Sequence, residues 1–212
     1  MSRHPIQQVI KRVIDVTVSA LFLIIFSPIL LAIWLLVRWR MGKPAIFCQR
    51  RPGLGGRPFT LCKFRTMNDA RDPDGSLRPD GERLTGLGQF LRRTSLDELP
   101  QLWNVLCGEL SLVGPRPLLM EYLERYSPEQ ARRLEVKPGI TGWAQINGRN
   151  AIAWEEKFRL DVWYIDHWSL GLDLWILMQT GWKVIRRDGI SAAAHATIPA
   201  FTGTTAMRKE AG

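Results

Sequence analysis

Asp97 and Glu98 stand side by side in Ser95-Leu96-Asp97-Glu98-Leu99-Pro100-Gln101. A carboxylate can attack phosphorus and form an acyl phosphate, and a second carboxylate beside it can act as a base. Attack on a group that is itself anionic needs cations to offset the repulsion. The chain offers Lys63 and Arg65 in Lys63-Phe64-Arg65-Thr66, Arg92 and Arg93 just upstream of the acids, Arg116, and Arg149 in a turn. Arg116 differs from the others because Pro115 and Pro117 restrict the backbone on both sides. A guanidinium on a stiff loop loses less entropy when it forms bidentate phosphate bonds. Each of these residues also has an ordinary reading. Ser95-Leu96-Asp97-Glu98 matches a capping box, or Asp97 is itself an N-cap with Pro100 in the tolerated first turn. Pro115-Arg116-Pro117 reads equally as a rigid turn, and single arginines as solvated charges.

Around these residues the pattern predicts strands at 45–49 and 58–64, joined by the turn-rich Arg51-Pro52-Gly53-Leu54-Gly55-Gly56-Arg57. That glycine cluster fits neither phosphate-binding fingerprint and is read as a hairpin turn. An exposed loop is expected over 68–82, then a helix starting within 94–103. Further helices are expected at 128–136, 152–165 and 170–185, with turns at Pro138-Gly139 and Asn147-Gly148-Arg149. The last helix carries Trp175 and Trp182 and ends in Lys183, Arg186 and Arg187, which suits either a membrane interface or a buried core. The tail from 191 is rich in Ala and Thr and is expected to be poorly ordered.

Residues 16–37 carry no charge and are long enough to cross a bilayer, and no small-residue cleavage site follows them. Lys11 and Arg12 precede the run; Arg38, Arg40 and Lys43 follow it. Basic flanks on both ends are best satisfied if both stay cytoplasmic. Ser27-Pro28 lies near the middle, where proline removes a backbone hydrogen bond and kinks the helix. The Ser27 hydroxyl is suited to the carbonyl so freed. A re-entrant helix and an ordinary kinked span both satisfy these features.

The 212 residues suit one domain, and the net charge of +9 favours an anionic partner: nucleic acid, lipid headgroup or phosphorylated substrate. Nine tryptophans favour a membrane–water interface. Cys48, Cys62 and Cys107 are odd in number and widely spaced, which argues against a disulfide framework or a zinc site and suits a reducing cytosolic face.

Taken in order, Lys11-Arg12…Asp15, the broken helix at Ser27-Pro28, Lys63-Phe64-Arg65-Thr66-Met67, Ser95-Leu96-Asp97-Glu98-Leu99-Pro100-Gln101, Gly114-Pro115-Arg116-Pro117, Pro138-Gly139-Ile140-Thr141-Gly142 and Trp168-Ser169-Leu170…Leu172-Asp173 form a specific set. The chain resembles the bacterial sugar transferases called monotopic phosphoglycosyl transferases, in their minimal PglC-like form, from about Lys11 to Ile190. The resemblance implies an α+β fold, mainly helical with a small β-hairpin, with a re-entrant membrane helix within 1–44 and interfacial amphipathic helices. A catalytic domain over 45–190 and a tail over 191–212 complete it. It implies transfer of a sugar 1-phosphate from a UDP-sugar to polyprenyl (undecaprenyl) phosphate with release of UMP, initiating glycan or exopolysaccharide assembly. Asp97 would form the covalent intermediate and hold Mg2+, and Glu98 would act as base. Lys63, Arg65, Arg92 and Arg149 would contact phosphates, Pro115, Arg116 and Pro117 would hold the uridine phosphate, and Asp173 would support the dyad. The implied location is the cytoplasmic face of the bacterial inner membrane, with membrane lipid as a partner, downstream glycosyltransferases as further ones, and no nucleic acid. The tail departs from the pattern, with Ala193 and Ala200 where related chains often carry acids.

Two other classes compete. A non-catalytic, membrane-anchored basic module binding nucleic acid or anionic lipid would share the charge and tryptophan content, but would have no use for Asp97 and Glu98. A glycosyltransferase releasing UDP would need a D-x-D, present only as Asp72-Pro73-Asp74 in the expected loop.

Overall fold

The computed structural model describes residues 5–148, 152–186 and 200–203. Two N-terminal helices, α1 (Pro5–Ile25) and α2 (Ser27–Met41), lead into a hairpin of β1 (Ile46–Pro52) and β2 (Pro58–Phe64). The short α3 (Asp80–Arg83), α4 (Gly86–Thr94) and α5 (Gln101–Cys107) follow, then β3 (Ser111–Val113), α6 (Pro128–Ala131) and β4 (Gly139–Thr141). The chain closes with α7 (Trp143–Asn147), α8 (Trp154–Asp166) and α9 (Leu170–Arg186). The architecture is α+β and mainly helical, with an antiparallel hairpin and a two-stranded parallel pair, β3 with β4.

The break between α1 and α2 follows from one missing donor. Pro28 has no N–H to give to the Ile24 carbonyl one turn back, and the Ser27 hydroxyl donates to that carbonyl instead at 2.8 Å. The two helices bend by 64° at this point. No single helix among the described residues is long and apolar enough to cross a membrane; the bent pair passes that test together.

The flanks of this pair are not free basic ends. On α1, Lys11 donates to the Val113 carbonyl at 3.0 Å and to Asp173, and Arg12 donates to the Val105 and Leu106 carbonyls at the C-terminus of α5. Asp15, on the same face, accepts from the Leu112 amide at 3.1 Å. At the far end of α2, Arg65 donates to the carbonyls of Met41 and Lys43. Ile33 and Val37 of α2 pack with Ala45, Phe64 and Leu91. Both ends of the bent pair are therefore pinned to the same folded unit. Away from those contacts Leu21, Phe22, Ile24, Ile25, Leu31 and Trp39 are exposed.

Several expectations need correction. Cys48 and Cys62, expected to be unpaired, sit directly opposite in the β1–β2 register and are joined by a disulfide. Their spacing along the chain hid a cross-strand pairing that the hairpin makes inevitable. Residues 94–103 do not begin one helix: Thr94 ends α4, Ser95 is left-handed (φ 56°), and a single 3-10 turn spans Leu96–Glu98 before α5 starts. The helix expected at 128–136 shortens to α6 followed by a 3-10 turn at Arg132–Leu134. In the tail, Phe201 is buried against Tyr122, Tyr126 and Phe158, while Ala200 and Thr202 beside it are exposed; the rest of 191–212 lies outside the described residues. The two sides of α9 differ: Ile176 is fully buried, whereas Leu174, Trp175, Met178 and Trp182 form an exposed stripe at helical spacing.

Two close approaches fix the loops that matter. A β-carbon on Gly88 would lie 1.9 Å from the Thr66 carbonyl, so only glycine lets α4 press against the end of β2. Gly114 and Gly139 meet backbone to backbone, where a β-carbon on Gly139 would lie 2.1 Å from the Gly114 nitrogen. There Gly139 also donates to the Pro115 carbonyl at 3.0 Å. Gly114-Pro115-Arg116-Pro117 and Pro138-Gly139-Ile140-Thr141-Gly142, separate in the chain, are two sides of one junction.

Candidate active site

Alternation along the hairpin sends Phe47, Gln49 and Arg51 of β1 to the same face as Phe59, Leu61 and Lys63 of β2, which pair with them. This face lines an open cleft completed by Gln101, Arg116, Pro117 and Leu118. Gln101, at the start of α5, follows the turn that carries the two acids. The left-handed Ser95 reverses the chain out of α4 and aims that turn inward. A non-glycine residue in that region is strained, and such strain is tolerated where the surroundings over-determine it.

Asp97 is 5% exposed. Burial, and next the charge of Glu98, push its carboxyl up to about 6, against the pull of Lys63, Arg116 and Arg92. It is thus an anion at neutral pH, but a reluctant one, more basic than an ordinary aspartate. Glu98 forms an ion pair with Arg116, which is half exposed on its loop. Burial, then the neighbouring Arg92, lowers Lys63, with Asp97 and Glu98 acting in the opposite sense. Lys63 Nζ also lies over the Phe47 ring at 5.6 Å. Arg92 is oriented by donating to the Thr66 hydroxyl at 3.1 Å. Neither capping reading survives, since no side-chain cap bond is made at the 3-10 turn or at α5.

The structure therefore gathers Asp97, Glu98, Lys63, Arg92 and Arg116, with Pro115 and Pro117 buried on either side of Arg116. Arg93 is exposed. Arg65 is not a phosphate ligand in this arrangement. Its guanidinium is taken up by the Met67, Met41 and Lys43 carbonyls and by Asp69, and it acts as a strut for the end of α2. Asp173 does not adjoin the dyad either: it accepts from Lys11 (2.6 Å), Tyr164 (2.7 Å) and Trp168 (3.1 Å), tying α1, α8 and α9 together. Burial, and next the charge of Asp173, drives the Tyr164 hydroxyl well above its usual range. Arg149 lies outside the described residues.

Residue reading alone missed Arg133. It is buried against Asp161 (2.8 Å), donates to the Tyr126 hydroxyl (3.0 Å), and donates to the carbonyl of Arg116 (2.7 Å). Its place in Arg132-Arg133, next to a half-buried neighbour, gave no sign of this. It holds the Pro-Arg-Pro loop from behind.

Among the described residues no three His, Cys, Asp or Glu side chains cluster as a ligand set. The donors present nonetheless fit magnesium, which is commonly held by one or two carboxylates plus substrate phosphates. Asp97 and Glu98 offer such oxygens, and their mutual repulsion is what a dication relieves.

The profile of a family described as bacterial sugar transferase matches residues 6–187. Among curated relatives, an uncharacterized sugar transferase EpsL of Bacillus subtilis is 58% identical over 92% of this chain and 97% of its own length. The undecaprenyl-phosphate galactose phosphotransferase of Salmonella typhimurium is 42% identical over 85% of this chain but only 41% of its own. The UDP-glucose:undecaprenyl-phosphate glucose-1-phosphate transferase of Caulobacter vibrioides is 43% identical over 84% of this chain and 70% of its own. The chain belongs to the bacterial sugar transferase family.

Proposed function

We propose that this protein transfers a sugar 1-phosphate from a UDP-sugar to undecaprenyl or a similar polyprenyl phosphate, in two steps through Asp97. The observation that carries the reading is a buried, raised carboxylate that caps nothing yet sits beside a second acid and among three cations. The names of the Salmonella and Caulobacter relatives support the substrates.

In the first step an Asp97 carboxylate oxygen attacks the β-phosphorus. The bond from that phosphorus to the bridging oxygen breaks, and UMP leaves with the electron pair. In the second step Glu98 takes the proton of the polyprenyl phosphate, whose oxygen attacks the same phosphorus and returns Asp97 to the free carboxylate. Raised basicity makes Asp97 a better nucleophile while leaving it ionised at neutral pH. Lys63, Arg92 and Arg116 offset the charge of the diphosphate in a partly desolvated cleft. When bound at Asp97, magnesium would supply further charge neutralisation on the phosphoryl oxygens.

The lipid substrate requires a membrane, and two features support a re-entrant seat in it. Lys11 and Arg12 at one end of the bent pair, and the Met41 and Lys43 carbonyls at the other, are held by the same catalytic unit. A helix pair so anchored returns to the side it entered. The exposed apolar stripe of α9 suits an interface.

Intact-protein mass after brief exposure to UDP-sugar without lipid tests the mechanism. A sugar-phosphate adduct is expected in wild type and Glu98→Gln, and none in Asp97→Asn. Glu98→Gln should then pass the adduct to polyprenyl phosphate about 10²–10⁴-fold more slowly. An adduct that persists in Asp97→Asn would move the nucleophile elsewhere; turnover without any adduct would favour direct attack by the lipid phosphate.

A further inference from the structure

We infer that Arg51 is a second guanidinium for the nucleotide, closing on the α-phosphate that leaves as UMP; this rests on the function proposed above. Arg51 ends β1 on the cleft-facing side of the hairpin, in the same lining as Gln49, Lys63 and Arg116. Its Nη2 donates to the Gln49 side chain at 2.8 Å, which orients the group. Its Nε is buried and has no hydrogen-bond partner among the described residues. A charged donor left in that state is costly and calls for an acceptor.

The surroundings say what kind. Burial, and next the charge of Arg116, lower Arg51 to about 10, and no carboxylate acts on it appreciably. Two guanidiniums therefore line one half-buried cleft, and one carboxylate, Glu98, is paired to Arg116. An anion between them would satisfy the open Nε and relieve the repulsion. The strand register says which anion. Lys63 pairs with Phe47 and its charge acts on Asp97, where the β-phosphorus must sit, whereas Arg51 pairs with Phe59, two pairs further along the same face of the hairpin. The phosphate assigned to Arg51 is therefore the next one along, on the nucleoside side. Arg116 and Arg51 together then stabilise the charge that builds on UMP as the bond breaks. The Gly53–Gly56 turn beyond Arg51 keeps that end of the hairpin tight, with Gly55 (φ 63°) and Gly56 (φ 75°) both left-handed.

Equilibrium binding of UMP and of uridine to the detergent-solubilised full chain separates phosphate from nucleoside recognition. Arg51→Gln should weaken UMP binding about ten- to hundredfold and leave uridine binding unchanged, with Arg51→Lys between. If Arg51→Gln fails to fold, Gln49→Leu, which frees Arg51 from its orienting partner, should still weaken UMP several-fold and spare uridine. Unchanged UMP affinity in a folded variant overturns the assignment. So does an equal loss for UMP and uridine, which would make Arg51 a wall of the nucleoside pocket. Wild type that binds neither UMP nor UDP-sugar would overturn the proposed function itself. Wild type that forms the adduct while Arg51→Gln binds UMP normally would remove Arg51 alone.

Discussion

Asp161 and Asp173 are 2% and 6% exposed, and Asp97 is 5% exposed, yet the three carboxylates live in different electrostatic worlds. Asp161 receives two bonds from Arg133, and Asp173 receives one each from Lys11, Tyr164 and Trp168. These are closed accounts of donor and acceptor, and each ties distant elements together. Asp97 instead adjoins another acid, and its cationic neighbours do not fully balance it. Nearby, Arg51 keeps an unmet donor. Burial of charge is therefore no marker of a site in this molecule. Imbalance of buried charge is, because a group left unsatisfied by the fold is one that a ligand can satisfy.

The largest effect should come from breaking the balanced cluster. Asp161→Asn leaves Arg133 buried without its anion and should cost about 3–5 kcal/mol, read as a large fall in thermal midpoint. It should also loosen the Arg116 loop, which Arg133 holds by the Arg116 carbonyl. A stability change below 1 kcal/mol would mean that the two clusters are not so different after all.

Burial raises the Asp161 carboxyl too, but Arg133 bonds it directly; Asp97 has no such guanidinium bond among the described residues, so at the site the sign should reverse. A carboxyl raised to about 6 in the folded protein prefers to be neutral there, so its ionisation opposes folding above that pH. Without divalent cation at neutral pH, Asp97→Asn should stabilise the protein by on the order of 2 kcal/mol, although it abolishes adduct formation. The gain should shrink as pH falls through about 6 and vanish below the ordinary aspartate range, because wild type is then neutral as well. In parallel, wild-type adduct formation should decline as pH falls through about 6. A destabilised Asp97→Asn would restore a structural role for the carboxylate.

The smallest effect concerns backbone strain. Ser95→Gly removes the penalty for a left-handed side-chain-bearing residue but frees the unfolded chain, so stability should change by no more than about 1 kcal/mol. Chemical denaturation measures this directly. A loss of several kcal/mol would show that the Ser95 side chain, not its backbone, holds the turn.

Much of this arrangement was legible from residue types. The hairpin, the break at Ser27-Pro28 and the helices at α8 and α9 follow from alternation, a missing proline donor and apolar periodicity, all local rules. Adjacent acids and a proline-locked arginine, singled out from the chain, are brought together in the structure. What stayed hidden depended on partners far along the chain. Arg65 and Asp173 looked like site residues because they stand in motifs, but their bonds go to Met41, Lys43, Lys11 and Tyr164. Arg51 looked like part of a turn until the strand pairing showed which face it shares with Lys63.

The sequence by itself determined the class of chemistry and the bend between α1 and α2, because both rest on residue identity and neighbours one turn away. Only the tertiary structure decided which charges are satisfied. It pinned both ends of α1 and α2 to one unit, joined the Gly114 and Gly139 motifs at a contact too close for any β-carbon, and left Asp97 and Arg51 unbalanced. Electrostatic balance is a sum over everything packed within a few ångströms, and the spacing of residues along a chain does not contain that sum.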